Sequence, residues 1–117
     1  MMIDFACKQF DLDTVIKCSL GMSRSDYAVF SYLLRAGERH ACSSEQVAKH
    51  FRIDLTTAQR ALKRLHGKDL LHRTQQNFEG GGYTFIYSIK NRRHLRKLIG
   101  STVSAWAKKV EDELDRW

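Results

Sequence analysis

Residues 55–66 carry two rows of side chains at helical spacing, and the rows differ in chemistry. Ala58, Ala61, Leu62 and Leu65 recur at intervals of three and four, as a buried stripe requires. Thr56, Thr57, Gln59, Arg60, Lys63 and Arg64 fill the remaining arc. These residue types suit the major groove of double-stranded DNA, where every base pair shows a distinct pattern of donors and acceptors. Arg60 can fork onto a guanine edge and Gln59 can pair with an adenine. Thr56, Thr57, Gln59, Arg60 and Lys63 occupy the first two turns and are read as base contacts. Arg64 lies further along and is read as a phosphate contact or a solvated charge. A basic helix face standing alone is more often merely solvated, so the elements around it decide its meaning.

Those elements are legible. "CSSEQVAKHF" begins with Ser43 as a helix cap and Gln46 as its capping-box partner, and Cys42 is placed to staple onto Val47. Val47, Ala48 and Phe51 point inward. The three residues "RID" follow, and Asp54 is expected to cap the next helix. Two short helices so spaced form a helix-turn-helix with residues 55–66 as its second member. Ser43, Ser44 and Gln46 are candidates to meet a phosphate at a helix N-terminus, although capping alone accounts for them. Lys49 and Arg52, near the turn, are candidates for backbone contacts that set affinity and register without reading sequence.

Upstream, "MSRSDYAVFSYLLRAG" predicts a helix capped by Ser23, with Tyr27, Phe30, Leu33 and Leu34 inward and Gly37 at its end. Residues 11–20 place Leu12, Val15, Ile16 and Leu20 on one helical face, and the whole segment 1–21 is assigned to an N-terminal helix. Past Gly67 the periodicity changes to two. "LLHRTQQN" and "YTFIYSI" flank "FEGGG", which predicts a β-hairpin whose second strand shows Tyr83, Phe85, Tyr87 and Ile89 on one face. Arg73 could touch phosphate or enter a minor groove, but the hairpin tip carries Glu79 and no cation. The tip therefore either approaches DNA through glycine N–H groups or does not bind. Its glycines match no phosphate-loop pattern.

From Asn91 a long helix is expected, with Leu95, Leu98, Ile99, Val103, Trp106, Val110, Leu114 and Trp117 at intervals of one, three and four. That stripe exceeds what so small a core can cover alone, so Leu95, Leu98, Val103, Trp106, Val110 and Leu114 are assigned to a dimer interface alongside the first helix, with packing entirely within the chain as the alternative. "NRRHLRK" at its start is either a phosphate patch or a solvated surface; "KKVEDELDR" reads as a salt-laced surface. The sequence thus predicts one winged helix-turn-helix domain over 1–117. It is mainly α with a small β-hairpin wing: an N-terminal helix (1–21), a core (22–90) and a C-terminal dimerisation helix (91–117).

Charge supports the reading. The net charge is +7, which suits an anionic partner. Residues 49–73 hold seven Lys/Arg against two Asp/Glu, whereas residues 1–48 hold five against six. Positive charge is densest around the proposed reading helix. No apolar run approaches a membrane span, and the expectation is a soluble, cytoplasmic protein without a membrane partner. Cys7, Cys18 and Cys42 lack metal-ligand or disulfide spacing, so no metal and no cofactor is expected. They read as buried or incidental thiols, with redox sensing by Cys7 as the rival. No nucleophile–base signature appears, so no catalytic residue is assigned and the chain is expected not to be an enzyme.

"LGMSRSDYAVFSYLL", "SSEQVAKHFRIDLTTAQRALKRLHGKDLLHR" and "GGGYTFIYSI" together resemble the winged-helix domains of the TrmB and MarR regulator families, and above all small single-domain archaeal members. The resemblance implies a homodimer on a pseudo-palindromic DNA site with residues 55–66 as recognition helix. The charged wing of MarR proteins is missing, so their wing contacts to the minor groove are not carried over; the sugar-binding domain of full-length TrmB proteins is absent too, so no effector is carried over. The rival reading is a winged-helix module that docks onto protein in a basal transcription or replication assembly.

Overall fold

The structure is a computed structural model that describes residues 1–117. In chain order its elements are β1 (Met2–Phe5), β2 (Lys8–Asp11), α1 (Leu12–Ser19), α2 (Arg24–Ala36), β3 (Cys42–Ser43), α3 (Ser44–Phe51), α4 (Leu55–Gly67), β4 (Leu71–Asn77), β5 (Tyr83–Ile89) and α5 (Arg92–Asp115). They fall into two compact units, residues 24–91 and residues 1–23 with 92–117.

The unit of residues 24–91 is a winged helix-turn-helix. α3 opens with the expected capping box: Ser43 Oγ accepts the Gln46 N–H at 3.3 Å and Gln46 Oε1 accepts the Ser43 N–H at 2.8 Å. Arg52 ends it in the left-handed region (φ 55°, ψ 45°), turning the chain over three residues into α4. α2, α3 and α4 pack together around Val29, Phe30, Leu33, Val47, Ala58, Leu62 and Leu65, all at 2% exposure or less. The buried phase of α2 is Asp26, Val29, Phe30 and Leu33; Tyr27 and Leu34, expected inward, are half-buried. Chain reversal after α4 falls to Asp69 at φ 65° rather than to Gly67, which stays helical.

β4 and β5 pair antiparallel from Leu71↔Ile89 to Asn77↔Tyr83, and β3 adds a short third strand on the far edge of β5. That third strand was not expected from the sequence. One face of the hairpin grades from buried Tyr87 and Ile89 at its base to Tyr83, 58% exposed, at its tip. Gly80, Gly81 and Gly82 all take positive φ, of 83°, 104° and 84°. Only glycine accepts three such residues in succession without strain.

In the other unit the expected N-terminal helix over 1–21 needs correction. Only Leu12–Ser19 is helical; Met2–Phe5 and Lys8–Asp11 form an antiparallel hairpin turning at Ala6 and Cys7. The cause is local. Ile3, Phe5 and Phe10 alternate with polar residues at a period of two, and the Phe5 and Phe10 rings meet at 6.4 Å. Asp11 then caps α1 by accepting the Asp13 N–H at 3.0 Å. α1 packs on β2 and α5, yet none of its residues is buried. α5 spans 24 residues, about 36 Å at 1.5 Å per residue. Leu95 is buried and Leu98 and Ile99 half-buried, whereas Val103, Trp106, Val110 and Leu114 are exposed. No helix is long and apolar enough to cross a membrane.

Candidate nucleic-acid interface

α4 separates its two rows cleanly. Ala58, Ala61, Leu62 and Leu65 are at most 3% exposed, while Thr56, Thr57, Gln59, Arg60, Lys63 and Arg64 are all exposed. The apolar row fixes the rotation of the helix about its axis, and the polar row is what remains outward.

Two of the outward residues are already engaged. The Thr57 hydroxyl donates to the Asp54 carboxylate and holds that carboxyl below its ordinary range. Asp54 makes no regular side-chain cap to α4; its carboxylate is held mainly by the Thr57 hydroxyl, with a weaker pull from the Thr57 backbone N–H. Arg64 requires correction as a phosphate candidate. Its Nε and Nη2 donate to the two oxygens of Asp26 at 2.7 and 2.8 Å. Asp26 is only 3% exposed, and a buried carboxylate left without a cation is costly. The guanidinium therefore ties α4 to α2. An acid in phase with the apolar stripe Val29–Phe30–Leu33 is the sequence signal that marks such a pair.

The remaining outward groups are Thr56, Gln59, Arg60 and Lys63. Gln59 and Lys63 face the wing across a cleft of about 420 Å³, also lined by Arg73, Tyr83, Thr84 and Phe85. The Arg73 guanidinium lies 4.4 Å from the centre of the Phe85 ring. Register explains this contact: Arg73 opposes Tyr87, so Phe85 is its diagonal neighbour on the same face. A guanidinium laid on an aromatic ring loses little freedom on binding and keeps its N–H groups outward. The wing thus carries its cation at the base, beside Lys63, rather than at the tip. Tyr83, Thr84 and Phe85 were absent from the sequence-derived set because period two gives a face but not which neighbour that face meets.

His66, on the last turn of α4, packs edge-on to Tyr87 at 6.3 Å. Burial lowers its pKa below the ordinary value, with the charges of Arg73 and Lys90 adding to the effect and Asp69 opposing it.

The other candidates divide. Lys49 and Arg52 are exposed at the helix-turn-helix corner. Ser43 and Gln46 satisfy one another through the capping box. Ser44 is only 7% exposed and lines the cleft with Gln59, Lys63 and Arg73. Of the dimer candidates, Leu95 is already covered, at 4% exposure. Cys7 and Cys18 are exposed and Cys42 is buried, where desolvation raises its pKa, the hydrogen bond with Tyr32 opposing. No group of three or more His, Cys, Asp or Glu is placed to hold a metal.

Against this geometry the comparisons with known proteins are direct. A model of the DnaD N-terminal domain matches residues 10–110. The chain belongs to the DnaD N-terminal domain family. A solved structure from Methanosarcina mazei Go1, described as a possible transcriptional regulator, is 38% identical. It covers all of this chain and 97% of its own, with a TM-score of 0.91. The ST1889 protein of the archaeon Sulfolobus tokodaii shares the fold: TM-score 0.68, 21% identity, 83% of this chain and 92% of that one. An uncharacterized protein of Methanocaldococcus jannaschii is 27% identical over 118 residues, covering 98% of this chain and 87% of that relative. This member of the family is a winged helix-turn-helix protein of archaeal type, as the sequence resemblance implied.

Proposed function

We propose that the chain is a sequence-specific, double-stranded DNA-binding transcriptional regulator that acts as a homodimer on a pseudo-palindromic operator. The observation that carries this reading is the exposed Thr56, Gln59, Arg60 and Lys63 row, backed by the fully buried Ala58–Leu62–Leu65 row of a helix-turn-helix. α4 enters the major groove with its first turns on base edges. Arg60 reads guanine and Gln59 adenine, while Lys49, Arg52 and Arg73 contact phosphates. The description of the Methanosarcina relative supports a regulatory role. Homodimerisation is supported by the exposed apolar half of α5; it places two recognition helices about 34–36 Å apart, one helical turn of DNA.

A salt titration tests the reading. With about 6–10 phosphate contacts, log affinity falls with log salt at a slope of about −5 to −9. A flat response, or no binding to any duplex at low salt, overturns it and leaves docking onto protein as the role of the fold.

A further inference from the structure

One face of the wing carries ring surfaces for which paired DNA has no use. Directly opposed residues of two antiparallel strands share a face, and the register sets Arg73 opposite Tyr87, Gln75 opposite Phe85 and Asn77 opposite Tyr83. Toward its base this face is core, with Tyr87 buried. Toward its tip it leaves the core: Phe85 is half-buried, and Gln75, Asn77 and Tyr83 are exposed. Tyr83 is 58% exposed and meets the Phe85 ring edge-on at 5.5 Å. An aromatic pair that served only the core would be covered.

The polar neighbours of these rings are arranged around them. Phe85 supports the Arg73 guanidinium 4.4 Å from its centre, which leaves the outer side of that plane as a second flat surface beside Tyr83. Gln75 Nε2 donates to Asn77 Oδ1 at 3.0 Å, so the pair still holds an acceptor on Gln75 and a donor on Asn77. The face borders the cleft of about 420 Å³, whose lining sets Lys63 and Arg73 against one acid, Glu45. Two flat surfaces, an amide pair and excess positive charge complement the three parts of a nucleotide: base face, base edge and phosphate. In a duplex the base faces are stacked on one another, and the grooves present only edges. In a single strand the faces are open, and proteins hold them on aromatic rings and guanidinium planes. An acidic peptide would match the cations but leave the rings and the amide pair unused.

We infer that this face of the wing is a binding site for single-stranded nucleic acid, separate in ligand from the duplex site proposed for α4. One base stacks on the Tyr83 ring and a neighbouring base on the Arg73 guanidinium, which Phe85 holds in place. Gln75 and Asn77 meet a base edge, and Lys63 neutralises a phosphate across the cleft. DNA and RNA strands share this chemistry. The inference goes beyond the duplex reading and stands without it.

Fluorescence anisotropy of the full-length protein tests it, with a labelled thymidine oligomer of about ten nucleotides and a uridine oligomer of equal length, neither able to pair with itself. At least one should bind at low salt, and comparing the two identifies the strand. Tyr83→Leu keeps an apolar side chain but removes the ring. It should weaken binding about fivefold to a hundredfold, the worth of one stacked base, with an unfolding midpoint like that of the wild type because the residue is exposed. Tyr83→Phe should retain wild-type affinity. If Tyr83→Leu binds as tightly as the wild type, the contact is electrostatic only and the site is refuted. A Tyr83→Phe variant as weak as Tyr83→Leu would place the contact on the hydroxyl and overturn stacking. No binding of either oligomer also overturns the inference. If duplex DNA still binds in that case, the proposed function stands; oligomer binding without duplex binding gives the converse.

Discussion

The two units differ sharply in how much of their apolar surface they cover. Of sixteen buried apolar residues, fourteen lie in residues 24–91, leaving Met22 and Leu95 for the other forty-nine residues. The winged-helix unit closes its own core, so it can hold α4 rigidly with its polar row outward. The unit of the N-terminal hairpin, α1 and α5 exposes Ile3, Phe5, Trp106, Val110 and Leu114. A fold of that size with so little covered is marginal by itself. On the function proposed above, recognition falls to the self-sufficient unit and assembly to the incomplete one.

The largest expected effect breaks the self-sufficient side. Leu62→Ala empties a fully buried site beneath the recognition row and should cost about 2–5 kcal/mol in urea unfolding. Arg64→Ala removes two charge-assisted hydrogen bonds from the buried Asp26, and since Arg64 is itself half exposed the cost should be about 1–3 kcal/mol. A stability change below about 0.5 kcal/mol would restore Arg64 to the solvated face. On the incomplete side the outcome should invert. Trp106→Ala leaves the stability of the dissociated chain within about 0.5 kcal/mol, as for a surface substitution, yet raises the dimer dissociation constant about tenfold or more. Comparing unfolding midpoints at low and high protein concentration separates the two effects.

The smallest effect sharpens the junction of helix and wing. The folded-state pKa of His66 lies below its unfolded value, so the unfolded chain binds the extra proton first. The stability that neutral His66 provides is present above the ordinary histidine pKa of about 6.5 and is lost as pH falls below it. His66→Gln should flatten the stability profile between about pH 7 and 5; an unchanged slope would mean that another group titrates there.

The contrast also explains what the sequence made legible. Segments 43–51, 55–67 and 71–89 were readable because caps, stripes and turn residues agree locally with the packing they meet. The capping box of Ser43 and Gln46 is an example. The N-terminal hairpin was not readable, since its alternation spans only four residues a strand and lies against a helical pattern beginning at Leu12. Arg64 illustrates the other limit. Helical spacing puts it on the outward arc, but its partner stands thirty-eight residues away, and only the fold brings the two together. The Arg73–Phe85 contact needed the strand register, which periodicity alone does not fix.

The central claim, that α4 reads base sequence, is tested most directly by one pair of affinities for Arg60→Ala. They are measured on an operator selected from random DNA by the wild-type protein and on a random duplex at the same salt. Loss of the guanine contact should weaken operator binding by about 1–3 kcal/mol per contact while random-duplex binding weakens much less. Equal losses on both would contradict the claim and reduce Arg60 to a phosphate contact.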